Sequence, residues 1–381
     1  MKISDMKILE TSPGGRGNLI FIKIETDEGL VGYGEASNHP GSVLITEGCK
    51  MMRQFILGED PNNIERIWHK LFRYHTALGS RGVPCSVIGG IDEALWDLKG
   101  KSLNRPVYDL LGGVHHNPIV LYTHINEHVA TSEEMAKDAK SKVAEGYKAL
   151  KFDPFDSKMK THPISFISGE ISKEVENFGV ECFAAVREAV GPDIDILFDA
   201  HGNFDVPTAI RLTQRLAPYN LAWIEEPVPP ESYKALAQVK RMSKLPICVG
   251  ERLFTRYDVI PFLEMGLAEY LNVDTTRTGG ISELRKISTM AEVYHIPVSP
   301  HGADGSIQII AGCHTMASVP NFYKLEFFSS GLESYNAVLD RPLDIRNGML
   351  YLSNRPGLGW NLNEEYIKEH PPVPERIPGA N

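Results

Sequence analysis

Short apolar runs separated by longer amphipathic stretches recur along most of the chain. The runs occupy residues 119–125, 149–152, 194–198, 221–224, 246–249, 270–273, 296–299 and 322–325. A short continuous apolar run suits a strand covered on both faces, and the stretches between the runs have the length and pattern of helices. Parallel neighbours need such a crossover, so the alternation predicts a parallel sheet. Eight strand-plus-helix units predict a (β/α)8 barrel of TIM type. The competing architecture, an open doubly wound sheet, usually carries a Gly-rich phosphate turn after its first strand, and none is present here.

The flanks of the repeat read differently. Residues 19–24 and 30–35 form two apolar runs around the turn signal Glu28-Gly29, which predicts a hairpin. From about residue 48 to 103 the apolar period becomes helical, with Ile88, Ile91, Leu95 and Leu98 at three- and four-residue steps. Pro106 and Gly112-Gly113 then punctuate the chain. Beyond residue 328 the repeat fades into short strands and turns. The expected organisation is α/β: an α+β N-terminal capping domain (1–115), a modified TIM-type barrel (116–328), and a C-terminal segment (329–381) that returns to complete the capping domain. The long interval between Asp153 and Asp199 predicts an insertion at 156–169, lying over the barrel mouth.

Composition removes several function classes. The 381 residues are 42 % hydrophobic and 23 % charged, which is globular and argues against disorder. Lys and Arg number 39 against 49 Asp and Glu, a net charge of −10 that disfavours a nucleic-acid partner. No apolar run approaches the roughly 18 residues of a membrane span, and the start Met1-Lys2-Ile3-Ser4-Asp5 lacks a signal peptide's apolar core. The five cysteines, Cys49, Cys85, Cys182, Cys248 and Cys313, are scattered without a Cys-x-x-Cys pair, so neither a disulfide framework nor thiolate zinc is expected. A cytoplasmic location is the expectation.

The chemistry lies at one phase of the repeat. Asp199, Glu225, Glu251, Asp274, His301 and Glu326 follow successive runs at intervals of 23 to 27 residues. Strand C-termini of a barrel converge on one face, so these residues meet in space. Asp199, Glu225 and Glu251 would sit on consecutive strands about 4.8 Å apart, close enough for three carboxylates to reach one cation. Bare, they would repel; a hard divalent ion removes that penalty, and all-oxygen ligation favours Mg²⁺, with Mn²⁺ as a substitute. A lone acid after a strand is more often a helix cap or a solvated rim group, but three in register are not. Lys151 and Asp153 end strand two, and His201 lies two residues beyond Asp199. Asp274 is expected to hold the His301 imidazole by a hydrogen bond. The other histidines, His39, His75, His115, His116 and His124 among them, read as solvated or structural.

These residues resemble the mandelate racemase branch of the enolase superfamily. The match is carried by Phe198-Asp199-Ala200-His201-Gly202, Trp223-Ile224-Glu225-Glu226-Pro227 and Gly250-Glu251-Arg252, and by the helix from Gly90 to Lys101 with Leu110-Leu111-Gly112-Gly113. Thr278-Gly279-Gly280-Ile281 and Pro356-Gly357-Leu358-Gly359 fit as well. Within the branch the chain is most similar to acid-sugar dehydratases of the galactonate, gluconate and mannonate type. Asp199-x-His201 and Gly250-Glu251-Arg252-Leu253-Phe254-Thr255-Arg256 resemble the galactonate enzymes; Pro300-His301-Gly302-Ala303 is nearer the mannonate type. Racemases and cycloisomerases of the branch carry Lys-x-Lys on strand two, whereas this chain has Lys151-Phe152-Asp153.

The resemblance implies a Mg²⁺-dependent hydro-lyase that abstracts an α-proton, stabilises an enediolate and eliminates the 3-hydroxyl, giving a 2-keto-3-deoxy acid. It implies Asp199, Glu225 and Glu251 as metal ligands, His301 as base with Asp274 orienting it, and His201 as general acid. Lys151 and Glu326 would bind the carboxylate end, with Asp153 also near the substrate. Arg16, in the N-terminal loop, would contact a distal carboxylate or hydroxyl. The substrate would be an aldonate such as galactonate or gluconate, with a mannonate, pentonate or aldarate as alternatives. A different class of function is a weakly active or non-catalytic metal-binding scaffold with a regulatory role. The resemblance further implies a homo-oligomer, dimer to octamer.

Overall fold

The structure is a computed structural model that describes the chain except for residues 15–16, 40, 127–128, 157, 159–167 and 376–381. The N-terminal part opens with three antiparallel strands, β1 (Ile3–Thr11), β2 (Leu19–Thr26) and β3 (Val31–Glu35), in the order β1-β2-β3. The hairpin read from the sequence is therefore β2–β3, and β1 extends it by a strand. The first thirty-five residues read as β in the sequence, and β1 falls within them. Three helices pack on this sheet: α1 (Ser42–Ile56), α2 (Ile64–Tyr74) and α3 (Val83–Ser102). Ile20, Ile22 and Ile24 from one face of β2 join Ile45, Met52, Trp68, Ile88, Ile91 and Leu95 in a separate apolar core.

The second part is the barrel. Parallel ladders join β4 (Ile119–His124), β5 (Ala149–Phe152), β6 (Asp195–Asp199), β7 (Trp223–Glu225), β8 (Ile247–Val249) and β9 (Tyr270–Leu271). The last barrel strand, β10 (Leu325–Phe327), pairs back onto β4. The seventh position is filled by a segment around Val298 that bonds to both neighbours: Ser299 N–H donates to the Leu271 carbonyl at 2.7 Å, Val298 N–H to the Asn321 carbonyl at 2.8 Å, and Tyr323 N–H to the Val298 carbonyl at 2.9 Å. Pro297 and Pro300 flank Val298 and remove two of the donors a longer ladder would need. Lys151, Asp199 and Glu225 thus stand at fixed registers, with Lys151 opposite Leu197 and Asp199 opposite Glu225. Inside, Tyr122 and Trp223 are fully buried and pack with Tyr270 and Tyr323, the Trp223 and Tyr270 rings 5.0 Å apart.

After β10 the chain makes a small hairpin, β11 (Ile345–Arg346) and β12 (Met349–Leu350), that pairs antiparallel with the outer half of β4. It then runs to the N-terminal part. Gly357 exchanges backbone bonds with Arg105 and Val107, and Glu364 meets Lys23 and the Tyr33 hydroxyl. Asn18 brackets Val373 with two hydrogen bonds of 2.8 and 2.9 Å. Among the described residues no helix is long and apolar enough to cross a membrane.

The two parts meet along α3. A Cβ at Gly89 would lie 2.2 Å from the Thr276 carbonyl oxygen, so only glycine permits this approach of helix to barrel loop. Trp68 donates to the Gly279 carbonyl at 2.8 Å and Trp96 to the Ser282 hydroxyl at 2.8 Å. Asp92, buried in the joint, accepts the Ser282 N–H at 2.9 Å and its hydroxyl at 2.6 Å. Burial pushes the Asp92 carboxyl up to about 7, outweighing both bonds. The folded chain then holds a proton there that the unfolded chain has released above about pH 4. This group's contribution to stability falls as pH rises from about 4 to about 7 and is level above. Asp92→Asn should flatten that slope. In thermal scans between about pH 5 and pH 8 its melting temperature should fall by several degrees less than that of the unaltered chain.

Candidate functional site

The C-terminal ends of the barrel strands carry the acids. Asp199 ends β6 and Glu225 ends β7, side by side in the ladder; Glu251 follows two residues after β8 ends. Glu326 lies in the middle of β10, at a register that turns it inward. All four are buried or nearly so, at 3 %, 0 %, 6 % and 1 % exposure. Burying this much negative charge requires compensation.

Lys151 supplies most of it. Its side chain is fully buried, and Nζ stands 2.8 Å from Asp199 Oδ2, 3.2 Å from Glu225 Oε2 and 2.7 Å from Glu326 Oε1. Burial alone would lower its pKa, but Asp199, Glu225 and Glu326 together hold it well above the usual lysine range. Glu225 also accepts from Asn272 Nδ2 and from the Trp223 indole. Even so, burial and the neighbouring Asp199 keep its carboxyl well above the ordinary range. Glu326 behaves oppositely: against burial, Lys151, His301 and His124 hold it well below.

Of the four histidines that line the cleft, His39, His124, His201 and His301, the last two are each held by an aspartate. His301 Nδ1 lies 2.6 Å from Asp274 Oδ2, and its Nε2 points at Glu251 Oε2, 3.1 Å away. Burial would lower the His301 pKa, and Glu326, Asp274 and Glu251 raise it overall despite Arg277. His201 Nδ1 lies 3.0 Å from Asp153 Oδ2 and its Nε2 3.6 Å from Asp199 Oδ2. Strand geometry does not persist to His201. β6 ends at Asp199 and His201 takes a left-handed conformation with φ of 52°. That conformation is uncommon for a residue with a side chain and is concentrated at functional positions. His201 follows β6 and His301 lies four barrel positions further round, so the two stand across the mouth from each other.

A cleft of about 570 Å³ opens between them. Asp199, His201, Glu251, His301 and Glu326 line its floor; Gly17, Asn18, His39 and the C-terminal residues Val373, Pro374 and Glu375 close it from the N-terminal side. Lys151 and Glu225 are buried beneath the floor, and Lys151 reaches the cleft only through the acids it pairs with. Asp153, expected near the substrate, has its carboxylate turned to His201 and to the N–H groups of Phe155 and Asp156. Arg16 lies outside the described residues, as do 157 and 159–167 of the expected insertion.

The cleft also contains residues the sequence reading set aside. His124 stacks on Phe328 and its Nε2 lies 2.6 Å from Glu326, although it read as solvated or structural. Its position at the end of β4, in register with Lys151, was the available signal. Arg252 pairs with Glu226 and Glu251, and Arg277 stands near Glu251, Asp274 and Asp304. Both arginines line the cleft.

For a hard cation the donor chemistry fits. Asp199 and Glu251 present carboxylate oxygen to the cleft, and Glu225, with its raised pKa, stands beside Asp199 as a third oxygen donor in need of positive charge. A second trio, Asp153, Asp156 and His201, already has donor atoms within 4.8 Å of one another. It mixes in an imidazole and its Asp153 and His201 are bonded to each other, so it suits a hard cation less.

Replacing Lys151 tests the charge balance directly. Lys151→Met should lower stability by about 3–5 kcal/mol in chelator, because three buried carboxylates lose their shared cation. Thermal unfolding with millimolar Mg²⁺ should recover part of that loss.

Comparison with known proteins agrees with this layout. Residues 9–112 match the mandelate racemase / muconate lactonizing enzyme N-terminal domain, and residues 134–366 match the enolase C-terminal domain-like family. The chain is 33 % identical to a D-xylonate dehydratase of Haloferax volcanii, over 92 % of this chain and 85 % of that protein. It is 34 % identical to a D-galactonate dehydratase of Pectobacterium atrosepticum, over 92 % and 90 %. A crystal structure of an enolase superfamily member from Salmonella Typhimurium superposes with a TM-score of 0.91 at 30 % identity, covering 98 % of this chain and 99 % of that one. With both of its parts matched and the barrel's acids at one phase of the repeat, this chain belongs to the mandelate racemase / muconate lactonizing enzyme family of the enolase superfamily.

Proposed function

We propose that the protein is a hydro-lyase that dehydrates a sugar acid, removing the C2 proton and the 3-hydroxyl as water to leave a 2-keto-3-deoxy acid. The observation that carries this reading is the pair of carboxylate-held imidazoles facing each other across one cleft, His301 with Asp274 and His201 with Asp153. Dehydration needs a base at C2 and an acid at the C3 oxygen, and two separate histidines supply both. The named activities of the relatives from Haloferax volcanii and Pectobacterium atrosepticum point the same way.

In this reading Asp199, Glu225 and Glu251 would hold Mg²⁺, or Mn²⁺ in its place. When bound, the cation supplies Lewis-acid stabilisation of the negative charge that develops on the substrate carboxylate. Asp274 fixes the His301 ring so that Nε2 faces the cleft and takes the C2 proton. His201 delivers a proton to the departing C3 oxygen, its ring held by Asp153. Loss of hydroxyl with that proton forms water, and the enol left behind ketonises. Lys151 stays below the floor, keeping Asp199 and Glu326 ionised, while Arg277 and Arg252 add positive charge beside Glu251. Asp153 in place of a second strand-two lysine leaves no second base opposite His301 with a lysine's reach, which argues against racemisation. An aldonate such as galactonate or gluconate is the proposed substrate, with xylonate-like pentonates, mannonate and aldarates next.

A panel of aldonic and aldaric acids with Mg²⁺, read as 2-keto acid, should give turnover on at least one member, abolished by chelator. No turnover across the panel would favour a non-catalytic scaffold. On the active substrate, His301→Asn should stop exchange of the C2 proton in deuterium oxide, with a loss of about 10²–10⁴ in kcat. His201→Asn should lose water release to a similar degree yet keep C2 exchange. Exchange at the original rate in the first variant removes His301 from the role of base.

A further inference from the structure

Asp274 is engaged by more than His301. Its Oδ2 accepts both the His301 ring N–H and the Gln308 side-chain amide, each at 2.6 Å, and its Oδ1 accepts the Arg277 N–H at 2.7 Å. Such bonds to an ionised acceptor are short and strongly orienting. The Gln308 oxygen accepts the Asp304 N–H at 3.1 Å. One end of the amide therefore meets a donor and the other an acceptor, which leaves it a single orientation.

Gln308 stands in the first turn of the helix Ser306–Ala317. The residue before that helix, Gly305, has no side chain to cap it. The cap comes from the other part of the molecule. Glu35, at the end of β3, accepts the N–H groups of Ile307 and Gln308 on one oxygen, each at 3.1 Å. A Cβ at Gly305 would lie 2.1 Å from Glu35 Oε1, so glycine is what lets the carboxylate reach the helix end. Glu35 is itself fixed. Its N–H donates to Glu93 at 2.9 Å, and its carbonyl accepts from the hydroxyl of Thr276, two residues beyond Asp274, at 3.2 Å. Glu35, Gln308 and Asp274 are all buried, so water does not compete for these bonds.

We propose that Gln308 is a positioning residue for the Asp274–His301 pair, and that Glu35 of the N-terminal part holds Gln308 in place by capping its helix. The docking of one domain thereby sets the direction of an imidazole in the other. This rests on the reading of His301 as the base. Without the Gln308 amide, Asp274 keeps the Arg277 N–H on Oδ1 and the His301 N–H on Oδ2 but loses the second donor on Oδ2, so the carboxylate can turn and carry the imidazole with it.

The full chain labelled with ¹⁵N-histidine tests this without depending on turnover. The His301 Nδ1 proton, in its 2.6 Å bond, should resonate far downfield and be assigned by its loss in His301→Asn. Gln308→Met, close in length but without a donor, should shift or broaden that resonance. On the active sugar acid it should lower kcat about 10- to 100-fold while KM changes less than about 2-fold. Gln308→Glu keeps an oxygen toward Asp304 and replaces the donor to Asp274, and should act in the same direction. A Gln308 needed only for stability would lower the melting temperature and leave the resonance in place. An unmoved resonance in either folded variant overturns the proposal whatever the rate. If the unaltered chain turns over no member of the panel, the hydro-lyase reading fails while the resonance still decides the positioning of His301.

Discussion

Four carboxylates from four barrel strands come out of water together at the mouth of this barrel, and their mutual repulsion in a poorly solvated site is the constraint around which the rest is arranged. Lys151 meets it from below, touching Asp199, Glu225 and Glu326 with one ammonium group. Arg252 and Arg277 meet it from the side at Glu251. The division of labour leaves Glu225 with the least compensation, which its elevated pKa expresses. A site built this way is poised for one more positive charge next to Asp199 and Glu251, where the cleft reaches it. The chemistry of the family and the electrostatic need of this cluster thus point to the same place.

The capping part contributes in two ways. It closes the cleft with the loop around Gly17 and Asn18, to which the C-terminal residues near Val373 are tied by paired hydrogen bonds. It also reaches under the cleft edge through β3 and α3, where Glu35 and Glu93 grip the loop after β9 and the start of the helix Ser306–Ala317. Loops carry selectivity on barrels of this kind while the strands carry the reaction. Here the same domain that shapes the entrance also braces the segment that carries Asp274.

Much of this was legible in the chain because a barrel converts sequence period into spatial convergence. Asp199, Glu225, Asp274 and His301 share one phase of a repeat of about 25 residues, and the ladder and bridges bring Asp199 beside Glu225 and Asp274 beside His301. What escaped has physical reasons. His124 sits at the first strand's end, but its partner Glu326 is some two hundred residues on. Gln308 lies inside a helical apolar pattern, where a lone amide carries no sign of what it faces. Asp153, expected near the substrate, turns its carboxylate to His201, a contact between two strand ends that no local pattern announces.

The aromatic layer inside the barrel has a consequence for traffic. Tyr122, Trp223, Tyr270 and Tyr323 fill the axis below Lys151, with the Lys151 ammonium 5.6 Å from the Tyr122 ring centre. The reaction chamber is a blind alley. Nothing passes along the axis, so substrate and both products travel on the mouth side, where a second hollow of about 550 Å³ shares Gly17, His124, Asp304 and Phe328 with the cleft.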